Sequence, residues 1–258
     1  MRRFVAGVYF VAAAFLVPWI AVLLRTQHRE VLNHHSRLLW LLIGVLMVAG
    51  MLSTGCLARI ESRYTVIAAT FTATFLFVDA WFNVLTSVGL LRALLVGFAI
   101  VVQLPISVVS LVLARRVTLQ RGGAHVAPRL TSVAFMAGAV LLVPFTLRRI
   151  ARTTPIQIGF HQRIAWSGLD VFELAGLLVT GWCVRQRAPW MAMAGVATGT
   201  LLMSDAIFNI VTASSSTVFA ALAMAAIGEL PLCVLSFALA IREVRSWGTL
   251  ESLGNSAA

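Results

Sequence analysis

Residues 78–87 read VDAWFNVLTS, and residues 204–213 read SDAIFNIVTA. Each stretch sets an aspartate and an asparagine four apart, with a threonine three further on, inside a long apolar run. At helical spacing Asp79, Asn83 and Thr86 share one face, as do Asp205, Asn209 and Thr212, while Trp81 and Phe82, or Ile207 and Phe208, point elsewhere. The two stretches lie 126 residues apart, and the same shift aligns much more of the chain. Without a gap, residues 17–116 match residues 143–242 at about 29 of 100 positions, more than shared apolar composition gives. Val17-Pro18 falls on Val143-Pro144, His35, Arg37 and Trp40 on His161, Arg163 and Trp166, Thr54-Gly55 on Thr180-Gly181, and Leu104-Pro105 on Leu230-Pro231. The chain reads as a tandem duplication.

Composition says where such a unit lives. With a mean hydropathy of +0.94 and 11% charged residues, a chain of 258 residues has more apolar surface than a soluble core of that length can hide. A hydrocarbon layer of ~30 Å needs about 20 helical residues to cross. Cutting the apolar runs at charges and at Pro and Gly gives eight such segments, near 4–24, 38–58, 64–87, 91–114, 130–148, 166–184, 189–213 and 217–241. The expected fold is all-α and transmembrane: an eight-helix bundle built from two tandem parallel four-helix repeats. Residues 1–116 form the first repeat, 117–129 a polar linker with the Gly122-Gly123 pair, 130–242 the second repeat, and 243–258 a solvated tail. Four spans per unit is an even number, so both units enter the membrane the same way round, related by an axis along the membrane normal. The N-terminal run has a counterpart in mid-chain and is read as a retained helix, not a cleaved signal.

All 20 basic residues are arginine. With the N terminus inside, twelve collect on the inner face against eight outside, which favours cytoplasmic termini and a place in the cell membrane. The net charge of +11 is mostly loop arginine facing lipid phosphates, so no nucleic-acid partner is expected. The outer surplus sits in two loops, where Arg148, Arg149, Arg152 and Arg163 are placed to meet acids at the outer mouth. Cys56, Cys183 and Cys233 all fall inside spans without CxxC spacing and read as small packing residues.

Asp79, Asp170, Glu173, Asp205 and Glu229, five of the nine acids, lie within spans. An ionisable group at the bilayer centre costs at least ~2.5 kcal/mol on insertion scales, so each is expected to face the bundle interior or a cavity. Asp170 and Glu173 share a face at i and i+3. Gln103 and Glu229 each precede a mid-span proline, Pro105 or Pro231, which bends a helix and frees a carbonyl. The units differ here: Gly44, Met47 and Gln103 stand where the second unit has Asp170, Glu173 and Glu229. The candidate site is therefore Asp79, Asn83, Gln103, Asp170, Glu173, Asp205, Asn209 and Glu229, lying between the repeats and weighted toward the second. Asp–Asn pairs can equally tie helices together by hydrogen bonds of about 0.6–2 kcal/mol each, and Ser167 with Asp170 also suits a capping box.

The combination of WSGLDVFE at 166–173, VDAWFN, SDAIFN and the ELP at 229–231 resembles a group of small, uncharacterised multi-pass integral membrane proteins of high-GC Gram-positive bacteria. Two features depart from that group's pattern. Asn83 and Asn209 replace a second acid, and Gly44 stands in place of an aspartate. Those departures count against an all-carboxylate metal site, and no metal or cofactor is expected.

The function these features favour is a small transporter or solute-binding protein, with Asp79 and Asp205 carrying a proton, a cation or a small solute and Glu229 at the bottom of the site. One alternative is an intramembrane enzyme acting on a lipid-linked substrate through Asp170 and Glu173, although no HExxH or GxSxG motif occurs. The other is a structural or assembly subunit whose acids only join helices.

Overall fold

A computed structural model describes residues 2–26, 34–87, 89–121, 129–152 and 160–255. Among them there is no strand. The helices are α1 (Arg2–Thr26), α2 (His34–Arg59), α3 (Thr65–Thr86), α4 (Gly89–Phe98), α5 (Leu104–Arg121), α6 (Arg129–Arg152), α7 (Phe160–Gln186), α8 (Met191–Thr212), α9 (Val218–Met224) and α10 (Leu230–Asn255). Short π-helical turns, Ala99–Gln103 and Ala225–Glu229, join α4 to α5 and α9 to α10 without a break, so the ten helices make eight rods. Seven rods are long and apolar enough to cross a membrane; the eighth, α6, has a shorter apolar run, Arg129–Pro144. The chain is built as a multi-pass membrane protein.

The distribution of apolar side chains agrees with a lipid surround. Phe4, Val11, Val101, Leu130, Phe219 and Ile227 are all at least 70% exposed, each on the outside of the bundle. Such residues face outward at no cost only where the surroundings are hydrocarbon. At the centre stand α3 and α8, which bury far more of their length than any other rod.

Small residues let the rods approach. A methyl at Gly50 would meet Thr72 Oγ1 at 2.8 Å, and one at Gly176 would meet Thr198 Oγ1 at the same distance, so α2 crosses α3 closely and α7 crosses α8 closely. One turn on, hydroxyls pair across each crossing: Thr54 with Thr72 at 3.0 Å, and Thr180 with Thr198 at 2.8 Å. The turns after α2 and α7 are also alike. Glu61 and Arg187 both take φ 54°. Ser62 N–H donates to the Leu57 carbonyl (3.0 Å) and Ala188 N–H to the Cys183 carbonyl (2.9 Å), each a Schellman closure made without glycine.

The prolines act through the π turns. Leu104 N–H donates to the Ala99 carbonyl and Leu230 N–H to the Ala225 carbonyl, each five residues back. One extra residue in the turn takes up the ring of Pro105 or Pro231 and rotates Gln103 and Glu229 inward. Both are buried.

Two expected boundaries shift. The linker expected at 117–129 begins as helix, since α5 runs to Arg121; residues 122–128 lie outside the described residues. The solvated tail expected from residue 243 is instead the continuation of α10, with Glu243, Val244 and Trp247 buried. Ala240, Val244 and Trp247 fall at i, i+4 and i+7, one helix face, and pack with Val66, Ala69, Ala114, Ala192 and Val196 at the ends of α3, α5 and α8.

Candidate functional site

The close α7–α8 crossing positions the acids. From Gly176 and Thr198, which touch, α7 and α8 run antiparallel toward the α8 end at Thr212. At ~1.5 Å per residue, Glu173 lies one turn along from the crossing, while Asp170 and Asp205 lie two turns along, ~9–11 Å away. Asp170 and Glu173 point at α8 and Asp205 points back. Each offers a carboxylate oxygen within 4.8 Å of the others, and all three side chains are buried. Oxygen donors of this kind suit a hard cation or shared protons, since three carboxylates at such range in a low-dielectric interior repel one another unless positive charge joins them.

Asn209 extends the set. Its Nδ2 donates to Asp205 Oδ2 at 2.6 Å and to Glu229 Oε1 at 3.2 Å, so one amide links α8 to the π turn before Pro231. Glu173 and Glu229 also line a cavity of about 600 Å³ whose other walls are apolar, with Gly138 and Leu141 from α6, Leu177 from α7, Leu202 from α8 and Met224 from α9. Among the described residues these two glutamates are the only charged side chains in that lining.

The first half of the chain arranges its polar residues differently. Asp79 Oδ2 accepts from Asn83 Nδ2 at 2.8 Å and from Gln103 Nε2, and all three residues are buried. Asp79 stands outside the three-carboxylate cluster. The residues expected to form one site between the repeats thus make two sets of contacts, one in each half of the chain, and aromatic rings stand between α3 and α8. The residues that meet there are Phe82 and Phe208, three along from each aspartate, with Trp166 against both rings. Three residues turn a helix by ~300°, which leaves each aspartate only ~60° round from its aromatic and one turn along, so the stacked rings hold the α3–α8 contact beside the aspartates. Thr86 and Thr212 donate to the Phe82 and Phe208 carbonyls at 2.8 Å each and serve their own helices.

The chain matches no protein-family profile, no curated protein and no solved structure. The geometry alone therefore carries the functional reading.

His161 is exposed at the start of α7, while the side chains of His35, Arg148, Arg149 and Arg152 lie outside the described residues. Cys56, Cys183 and Cys233 are free thiols. Sequence reasoning missed the packing between the units: Trp81 donates Nε1–H to the Ala165 carbonyl at 3.0 Å, and a methyl at Gly168 would overlap the same indole. It also missed what fills the first unit. Phe98 stacks on Trp19 (centroids 4.6 Å) and on Phe15 (6.4 Å), whereas the positions matched to Phe15 and Phe98 in the second half are Leu141 and Met224, both on the cavity wall. The 126-residue alignment held that signal, as an aromatic-to-aliphatic change at two matched positions.

Proposed function

We propose that this chain is a small transporter or solute-binding protein of the cell membrane, a tandem duplication of four-span units with both termini cytoplasmic. Its working site is the acidic set of the second unit: Asp170, Glu173 and Asp205, joined through Asn209 to Glu229. The duplication is supported by the matched threonine pairs, Schellman turns and π turns, which recur at the same 126-residue shift. The observation that carries the reading is the convergence of three buried carboxylates beside a cavity that opens between rods. Groups so costly to hold in a bilayer are commonest on ion and proton pathways. A π turn with proline at the floor of the site adds local freedom to the α9–α10 rod. Asp79, with Asn83 and Gln103 donating to it, is the reduced counterpart in the first unit and ties α3 to its π turn.

Infrared difference spectroscopy of the purified protein during pH jumps, with and without Mn²⁺, tests the reading. A carboxyl band that appears on acidification, is suppressed by Mn²⁺, and is lost in Glu173→Gln or Asp205→Asn is the expected result. No titrating band and no response to the cation would leave the acids as groups that join helices, and the chain as a structural subunit.

A further inference from the structure

Around Glu173 and Glu229, two of the acids that the second unit has gained, it has also lost bulk on the neighbouring walls. Glu173 and Glu229 replace Met47 and Gln103, and in the same half Leu141 and Met224 replace the stacked Phe15 and Phe98. A chain that needed carboxylates only to hold a proton or a metal ion had no use for emptying the neighbouring space. The void itself, about 600 Å³, falls within the range that small organic ligands occupy. Leu141 and Ile227 on its wall are 66% and 80% exposed on the bundle's outer side, so the mouth faces the hydrocarbon of the bilayer.

We infer that this cavity binds a lipophilic organic cation, an ammonium or phosphonium with apolar substituents, whose charge rests against Glu173 and Glu229 and whose substituents fill the space between α6 and the α9–α10 rod. This deepens the transport reading and rests on it, by naming the class of solute. The class follows from complementarity. Acidic walls exclude anionic lipids and fatty acids by repulsion. A neutral lipid tail gains nothing from two carboxylates that are expensive to bury. An inorganic cation has no use for apolar walls, and must shed a tight hydration shell to enter them. A lipophilic cation has little hydration to shed, already concentrates in the bilayer that the mouth faces, and satisfies both the charge and the apolar surface.

Tetraphenylphosphonium and tetraphenylborate have the same shape and opposite charge, which isolates the electrostatic part. Binding of each labelled ion is measured by equilibrium dialysis to the full-length protein in nanodiscs, with empty discs as the blank. The expected result is saturable, stoichiometric binding of the phosphonium and none of the borate above the blank. Glu229→Gln, which installs the amide that the first unit carries as Gln103, weakens the phosphonium about tenfold or more. The double variant L141F/M224F, which writes the first unit's rings into the second, abolishes binding while keeping the infrared carboxyl response. Equal binding of both ions, phosphonium binding unchanged in both variants, or no protein-dependent phosphonium binding overturns the inference and leaves the cavity as a groove for bilayer lipid. The two readings fail separately. A carboxyl response without phosphonium binding removes the solute class and keeps the proton or cation site. Phosphonium binding without a carboxyl response removes the coupling and keeps the cavity.

Discussion

Phe82 and Phe208 stack at the centre of the molecule with ring centroids 4.4 Å apart and planes at 16°, and Trp166 meets both edge-on at 5.5 and 5.7 Å. Both phenylalanines are buried, and they join α3 to α8 where the two halves meet. Phe208→Ala is expected to lose part of the ~3–5 kcal/mol that burying such a ring contributes in a soluble core. The transfer share is reduced because lipid solvates separated helices well; the packing share remains. Phe82→Ala and Phe208→Ala should be non-additive by about 0.5–1.5 kcal/mol, the scale of aromatic coupling. Thermal unfolding in detergent followed by scanning fluorimetry reads both quantities, and additive changes would place the rings in separate environments.

Gly176 and Gly50 make the same contact in different halves, each with a missing methyl 2.8 Å from a threonine hydroxyl. Gly176→Ala and Gly50→Ala should each destabilise the protein, by about 1–3 kcal/mol for an overpacked contact. Only Gly176→Ala pushes α7 off α8 one turn from Glu173, so only it should weaken the carboxyl response to Mn²⁺. Equal loss of that response in both variants would show that the acids do not depend on the α7–α8 crossing.

The sequence made the rods legible because their signals are additive: long apolar runs with arginines at their ends. It also singled out the buried polar residues that the proposed site uses, Asp170, Glu173, Asp205 and Glu229. Their grouping was not legible, for a physical reason. The 126-residue match suggests Asp79 and Asp205 at one depth and a shared site, but which side chains meet is decided by how the helices pack, through the close crossings at Gly50 and Gly176 and the stacked Phe82 and Phe208. Two prolines pointed to bends, yet the π turns that absorb them depend on hydrogen bonds five residues back, a register that no local pattern announces. Trp247 was hidden for a similar reason: its burial depends on surface offered by α3, α5 and α8, far away in sequence.

Asn209 and Asn83 occupy matched positions with unequal duties. Asn209 donates to two carboxylates, Asp205 and Glu229, while Asp79 receives a second donor, Gln103, besides Asn83. Removing Asn209 therefore strips both carboxylates of one shared donor, whereas removing Asn83 leaves Asp79 partly served. Asn209→Ala should alter the carboxyl infrared band and weaken Mn²⁺ binding, and should cost about 0.6–1.7 kcal/mol of stability on the scale of hydrogen bonds between membrane helices. Asn83→Ala should leave the Mn²⁺ response intact. Titration of the two variants side by side decides it, and the opposite order would move the working site to the first unit.

The end of α10 gives a truncation test. Trp247 is buried, and its Nε1–H donates to Glu243 Oε1 at 3.3 Å in the packing at the ends of α3, α5 and α8. A chain ending after Arg242 loses that tryptophan together with Val244, and is expected to express poorly or aggregate on extraction. A chain ending after Gly248 keeps both and should run as a single peak on size exclusion. A single clean peak from both would mean that residues 243–248 contribute nothing to the fold.

The position of α6 decides the topology. Its apolar run is the shortest of the eight rods, so by length alone it could lie along the surface. Its faces argue otherwise. One face packs against α7: Ser132 Oγ donates to the Gly181 carbonyl at 2.8 Å, and Phe135, Ala139 and Leu142 join the core of the second half. The opposite face carries Leu130, Val133, Val140, Leu141 and Leu147, each at least 59% exposed. A helix lying in the interface turns a charged face to water, whereas this one shows hydrocarbon on its free side over ~26 Å of rise, close to the ~30 Å thickness of the bilayer core. With α6 across the membrane the spans number eight, and the termini share a side. Green fluorescent protein fused to either end should fluoresce, alkaline phosphatase at the C terminus should be inactive, and single cysteines placed within 27–33 and 122–128 should label from opposite faces. An active C-terminal phosphatase would set α6 on the surface, reduce the spans to seven, and remove the parallel relation between the halves.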